Sequence, residues 1–256
     1  MRWGLPFDGT WTYGDALFII DPWIWLVLGG AVFLGSAPAR AGTWGWAILA
    51  GLTTALVVFG VGGMAAVVWV TWLTLIIARR LRGGGSPHDA GARRRAGGAM
   101  AVVGLYIGCM IASDLLARRD VFAAAADSGI VAQDVLVAPV RGNPFEADVE
   151  VATADAFVPG SHHWLRSPRV RLRPGESVPV LSAPGLDAST RTRAVAAAVQ
   201  REEVADYLIW SRYPYVRVTA VTDGWQVRFA DVRYDDQPEA GGLAGLSVHI
   251  PRSEIP

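Results

Sequence analysis

Charged residues are absent from three stretches in the first half of the chain: Pro22 to Ala39, Ala41 to Ala78 and Ala96 to Ser113, of 18, 38 and 18 residues. A bilayer core needs about 20 residues of helix, so the first and third stretches each predict one span. The middle one is too long for a single helix. Gly60, Gly62 and Gly63 interrupt it near its centre, and clustered glycines mark turns. Two spans are predicted there, over 43–59 and 64–78, which with 22–39 and 96–113 makes four. A single long tilted helix across 41–78 is the alternative, and it reverses the orientation of the N-terminus.

From about Asp127 the period changes. Val135, Val137, Val149, Val151, Val170 and Val178 fall in short alternating runs broken by Pro, Gly and Asn, the pattern of strands in a small β-rich domain. Val195, Ala198, Val199, Val204 and Leu208 then keep helical spacing until Pro214, with Asp187 or Ser189 as the candidate cap. In VRVTAVTDGWQVRFADVRY two alternating strands flank Asp223-Gly224, which predicts a hairpin with a type I′ turn. The expected fold class is an α+β membrane protein: about four transmembrane helices within residues 1–126, followed by a small β-rich soluble domain with one or two helices over 127–256.

Composition supports the membrane part. The chain is 52% hydrophobic and 18% charged with 11 tryptophans, a balance suited to indoles at a lipid interface, so the bilayer is the expected partner. A net charge of zero points away from nucleic acid. Cys109 is the single cysteine, which excludes an intrachain disulfide and a cysteine-based zinc cluster. Arg79, Arg80 and Arg82, then Arg93, Arg94 and Arg95, crowd a glycine-rich loop between the third and fourth spans. Short loops this basic stay in the cytoplasm, which places the N-terminus and everything after the fourth span outside it. The same cluster has a second reading, as a holder of anionic lipid head groups. Gly104 and Gly108, with Ala112, form a small face that suits self-association through helix packing; in a chain with 29 glycines chance spacing is the plainer account.

Candidate chemistry begins at YGDALFIIDPWIW, where Asp15 and Asp21 stand at the mouth of the first span. As ligands they suit a hard or borderline divalent metal together with histidines from elsewhere. As structure, Asp21 is a helix N-cap with Pro22 at the first helical position. His162 and His163, in GSHHW beside Arg166, point to opposite faces if the segment is a strand, and with no HxxxH or HExxH spacing they read as a solvated turn. His88 and His249 have no partners in sequence.

FDGTWTYGDALFIIDPWIW, VAPVRGNPF, and YLIWSRYPYVRV with DGWQVRFADVRY together resemble, in order, segments of the YdjM-like bacterial inner-membrane proteins, predicted metal-dependent hydrolases. The resemblance runs over most of the chain from Trp11 onward. It implies a multi-pass protein of the inner membrane, a divalent ion such as zinc or manganese, and metal-assisted hydrolysis, with Asp15 and Asp21 as the carboxylates carried over. It also implies that this chain corresponds to the C-terminal portion of the family pattern, because the histidine- and aspartate-rich opening that supplies the other ligands has no counterpart here. A non-catalytic membrane-anchored interaction module is the alternative function.

Overall fold

The computed structural model describes residue 17 and residues 21–35, 40–82, 91–234 and 245–255. Four helices come first: α1 (Pro22–Gly35), α2 (Arg40–Gly60), α3 (Gly63–Leu81) and α4 (Gly91–Asp127). Strands β1 (Asp134–Pro139), β2 (Glu146–Ala152), β3 (Ala156–His163), β4 (Val170–Leu172), β5 (Val178–Pro179) and β6 (Leu181–Ser182) follow. The chain ends with α5 (Ala188–Val199), α6 (Glu202–Trp210), β7 (Pro214–Val221), β8 (Gly224–Asp231) and β9 (Leu246–Pro251). It is a mixed α+β protein, helices first and sheets after.

Among the described residues three helical stretches are long and apolar enough to cross a membrane: Gly42–Gly60, Gly63–Leu81 and Arg93–Asp127. The fourth apolar helix, α1, has 14 residues, shorter than the expected 22–39; residues 36–39 lie outside the described residues. The single long helix across 41–78 is overturned. Gly62 and Gly63 take φ of +69° and +57°, a region that a side chain makes costly, and the chain turns there so that α2 and α3 pack together. The last of these helices runs well beyond the predicted span of 96–113. Burial of Met110, Ala117, Val121 and Ala125 keeps the spacing of one helix face well past Ser113, so α4 does not stop where charge returns.

The chain divides into two compact units. The first comprises Met1–Val121, Leu136–Val149 and Ser161–Val170. Its helices meet around Leu26, Val57 and Trp69, with Trp23 edge-on to Trp69 at 5.6 Å between ring centres and the Trp69 indole N–H donating to Thr54 Oγ1 at 3.1 Å. At Gly30 a β-carbon would stand 2.6 Å from Ile76 Cδ1, so glycine there lets α1 approach α3 closely. Many outward-facing side chains of these helices are apolar: Trp44, Leu52, Leu56, Phe59 and Leu105 are all exposed.

The second unit comprises Phe122–Val135, Glu150–Gly160 and Arg171–Pro256. Its own sheet has the order β6-β7-β8-β9, with β6 parallel to β7 and the other pairs antiparallel. Helices α5 and α6 pack Ala194, Ala198 and Val204 onto Val218, Val227, Phe229 and Ile250 of that sheet. The other sheet runs β1-β2-β3-β4, with β5 also pairing to β3.

The expectation of one or two helices before Pro214 is met with two, and the hairpin turn is corrected. The helical interval before Pro214 is two helices, because Arg201 is extended at ψ 135° and Glu202 and Glu203 then open a new first turn, where acidic side chains favour the positive end of a helix. Asp187 is the cap of the earlier helix, accepting from the N–H groups of Ser189 and Thr190 at 3.0 Å each. The hairpin turn is Thr222-Asp223, since Val221 pairs with Gly224. It is not type I′, which needs positive φ at both central residues, because no non-glycine residue among those described has positive φ. Gly224 serves close approach instead: a β-carbon there would collide with the Ile250 carbonyl of β9.

Candidate functional site

Asp21 is buried at the start of α1. One carboxylate oxygen, Oδ1, accepts from the N–H groups of Trp23 and Ile24 at 2.8 and 3.3 Å, satisfying donors that the first helical turn leaves open. The other, Oδ2, accepts from the Tyr106 hydroxyl of α4 at 2.8 Å. Beside it the Trp23 indole N–H donates to the Gly142 carbonyl at 3.1 Å. Gly142 has φ +71°, and a β-carbon on it would meet Val61 Cγ2 at 3.1 Å and Pro22 Cγ at 3.5 Å. The start of α1, the turn between α2 and α3 and the β1–β2 turn therefore converge at one end of the helices. Asp15, the other carboxylate singled out in the sequence, lies outside the described residues.

The two histidines overturn the expectation of a solvated turn. Both end β3 and both are buried, His162 completely. Alternation along the strand sends them to opposite faces, and each meets its own carboxylate. His162 Nε2 lies 3.3 Å from Asp120 Oδ2 of α4, and Arg169 Nη1 stands 3.6 Å from the same oxygen. The Trp164 ring is edge-on to His162 at 4.6 Å and carries the Arg169 guanidinium over its face at 5.4 Å. His163 Nδ1 lies 3.2 Å from Glu146 Oε1 of β2, while the Asn143 amide donates to Glu146 Oε2 at 2.9 Å. Among the described residues His162 Nδ1 has no hydrogen-bond partner.

This cluster belongs to the first unit together with the Asp21 joint. A cleft of about 20 Å³ lined by Ser113, Asp114, Glu146 and Trp164 has room for one water. A catalytic zinc takes about three protein ligands. Among the described residues no group of three or more His, Cys, Asp or Glu side chains stands close enough to share an ion, so by themselves they do not fit the zinc or manganese that the family resemblance implies. Sequence reading missed Tyr106, Asp120 and Glu146. The available signal for Asp120 was the apolar spacing at 110, 117 and 121, which extends α4 and carries Asp120 to the level of β3.

A second polar node lies within the other unit. Asp231, fully buried at the end of β8, accepts from the Ser211 hydroxyl and the Arg212 N–H at 2.8 Å each. The Arg233 guanidinium clasps both its oxygens at 2.8 Å. Burial alone pushes this carboxyl up; the Arg233 charge and the hydrogen bonds from Arg233 and Ser211 outweigh it and hold the carboxyl below its ordinary value. The node ties β8 to the segment between α6 and β7 and presents no free oxygen to a ligand. His249 on β9 lies 3.5 Å from Asp223 Oδ2 in an exposed pair, and His88 lies outside the described residues. Comparison with protein-family models, with curated proteins and with solved structures gives no match to this chain.

Proposed function

We propose that the chain is a four-span protein of the bacterial inner membrane that holds its sheet-rich C-terminal region outside the cytoplasm as a non-catalytic interaction module. The observation that carries this reading is the use made of Asp21: its oxygens are occupied by two backbone N–H groups and the Tyr106 hydroxyl. A carboxylate so engaged, next to the Trp23–Gly142 bond, acts as a joint between helices and the β1–β2 turn. Orientation is supported from the opposite end, where Arg79, Arg80, Arg82 and Arg93 to Arg95 gather and favour the cytoplasmic face. The soluble character of the region after α4 and self-association through the Gly104, Gly108 and Ala112 face are part of the same proposal; both glycines have open space where a β-carbon would stand.

Fusions of alkaline phosphatase and of a cytoplasm-only fluorescent protein to the C-terminus test the orientation. Phosphatase activity without fluorescence is expected; the reverse pattern overturns the placement. A second reading, a metal-dependent hydrolase like the YdjM-like proteins, is favoured by the gathering of His162, His163, Asp120 and Glu146 in one unit. Zinc or manganese co-purifying at about one ion per chain, and lost in Asp21→Asn, is the result that would move the conclusion to that reading.

A further inference from the structure

The arginines at the far end of the helices divide into two sets. Arg80 Nη1 donates to the Leu34 carbonyl at 3.4 Å and its guanidinium lies 5.3 Å from the centre of the Phe33 ring. Arg95 Nη2 stands 3.9 Å from where a β-carbon on Gly35 would be. Both are half-buried against the C-terminal end of α1, where open carbonyls and the negative end of the helix favour cations. Arg79, Arg82, Arg93 and Arg94 are exposed instead. They sit on the last turn of α3, its cap and the first turns of α4. From Pro22 to Ser113 the sequence holds seven arginines and one acidic residue, Asp89, so this end carries a large uncompensated positive charge. Three of the arginines fall in the opening turns of α4, which has no acidic residue in its first turn; cations there oppose the helix dipole and call for anions from outside the chain.

We propose that Arg79, Arg82, Arg93 and Arg94 form a binding surface for the phosphate head groups of anionic phospholipids in the leaflet that this end of the helices meets. The proposal rests on the membrane reading given above. The lipid is the chosen partner over soluble phosphate because the four side chains are spread across two helix ends beside apolar, outward-facing turns that include Leu75 and Leu81, an arrangement that meets a head group and its acyl chains together. Guanidinium forks match phosphate oxygens in pairs, and a surface of this kind gains about fivefold in binding per basic residue held near an anionic leaflet.

The full chain, reconstituted in vesicles of phosphatidylcholine with about one-third phosphatidylglycerol, is probed with spin-labelled phosphatidylglycerol and spin-labelled phosphatidylcholine, and the immobilised fraction of each is compared. Several-fold selectivity for the anionic probe is expected, weakening as salt is raised. It should be lost in R79Q/R82Q/R93Q/R94Q and kept in R119Q/R166Q, a control that removes two exposed arginines elsewhere. Equal immobilisation of the two probes by the wild-type chain overturns the proposal, as does selectivity that survives in the quadruple variant. If that variant fails to insert, the salt series on the wild type decides: selectivity indifferent to salt sinks the idea. Inorganic phosphate is added in detergent as a separate arm; stabilisation by phosphate without lipid selectivity would mark a soluble anion site and overturn it too. Carbonate extraction of native membranes, run first, tests the membrane reading independently, since a chain that stays in the membrane but shows no selectivity loses only the lipid surface.

Discussion

The helices of the first unit and the sheet of the second differ in what they leave exposed. In the second unit the apolar side chains turn inward: Phe229 is 1% exposed and Ile250 fully buried between the sheet and α5. In the first, Val57 and Trp69 are buried, but many large apolar side chains turn outward, Phe59 to 89%, while a carboxylate, a tyrosine hydroxyl and an indole N–H take part in the helix contacts. Water drives the first arrangement, because removing apolar area from it is favourable by about 25 cal/mol per Å². It cannot drive the second. Between helices surrounded by lipid, packing and polar bonds hold the structure. The outward apolar faces of the first unit's helices are compatible with contact with a lipid bilayer.

Truncating one phenylalanine in each unit is the strongest way to break this contrast. Phe229→Ala opens a cavity in a closed core, and a loss of about 3–5 kcal/mol is expected, read as a fall in the denaturant midpoint of the sheet-rich region or as its cleavage under limited proteolysis. Phe59→Ala in bilayer vesicles is expected to leave stability unchanged within about 0.5 kcal/mol. Equal losses at both positions would mean that Phe59 is covered by protein rather than by lipid.

The Asp231 node is the next largest effect. Asp231→Ala leaves Arg233 without its buried partner, at a cost of about 3 kcal/mol. The folded carboxyl is held below its ordinary value by Arg233 and Ser211 against the opposing effect of burial, so its contribution is fully present above the unfolded value of about 3.9 and is lost as pH falls through the folded one. Acid titration of the second unit should show a loss of stability confined to pH below about 4 that Asp231→Asn removes. An acid transition of the same size in the variant would assign it to other groups.

Next comes the Asp21 joint. Tyr106→Phe keeps the ring and deletes one hydrogen bond, so about 1 kcal/mol is expected, while Asp21→Ala also removes the cap, for a total of about 2 kcal/mol. If Tyr106→Phe is neutral and Asp21→Ala abolishes a bound metal without loss of stability, the structural reading of Asp21 fails.

How much of this was legible in the sequence follows from the range of each interaction. The helices and most strands were readable because period and charge are local: Val135 and Val137 alternate on β1, and uncharged stretches marked the helices. Asp21 as a cap was readable too, since Pro22 follows it directly. Tyr106 was not, because its partner is 85 residues away and a tyrosine in an apolar helix looks like any aromatic. GSHHW misled for the same reason: Asp120 and Glu146 make the histidines buried residues, and they come from α4 and β2. Gly224 misled differently, since Asp-Gly is a turn signal and the close approach of β9 that requires the glycine leaves no mark beside it.

The smallest expected effect tests whether charge does different work on the surface of the second unit than inside it. Arg201 donates to both oxygens of Glu254 at 2.9 Å, linking the start of α6 to the short turn of Arg252–Glu254. Both bonds come from one guanidinium nitrogen, Nη2, so the pair lacks the two-nitrogen fork that strengthens an arginine–carboxylate contact, and both side chains are about two-fifths exposed, where water screens them. The coupling in an Arg201→Gln, Glu254→Gln double-mutant cycle should be no more than about 1 kcal/mol and should shrink as salt is raised. Asp231 with Arg233, protected from solvent, should keep most of its coupling in the same salt series. If the two pairs respond alike, burial is not what separates them, and the contrast between surface and interior charge in this unit fails with it.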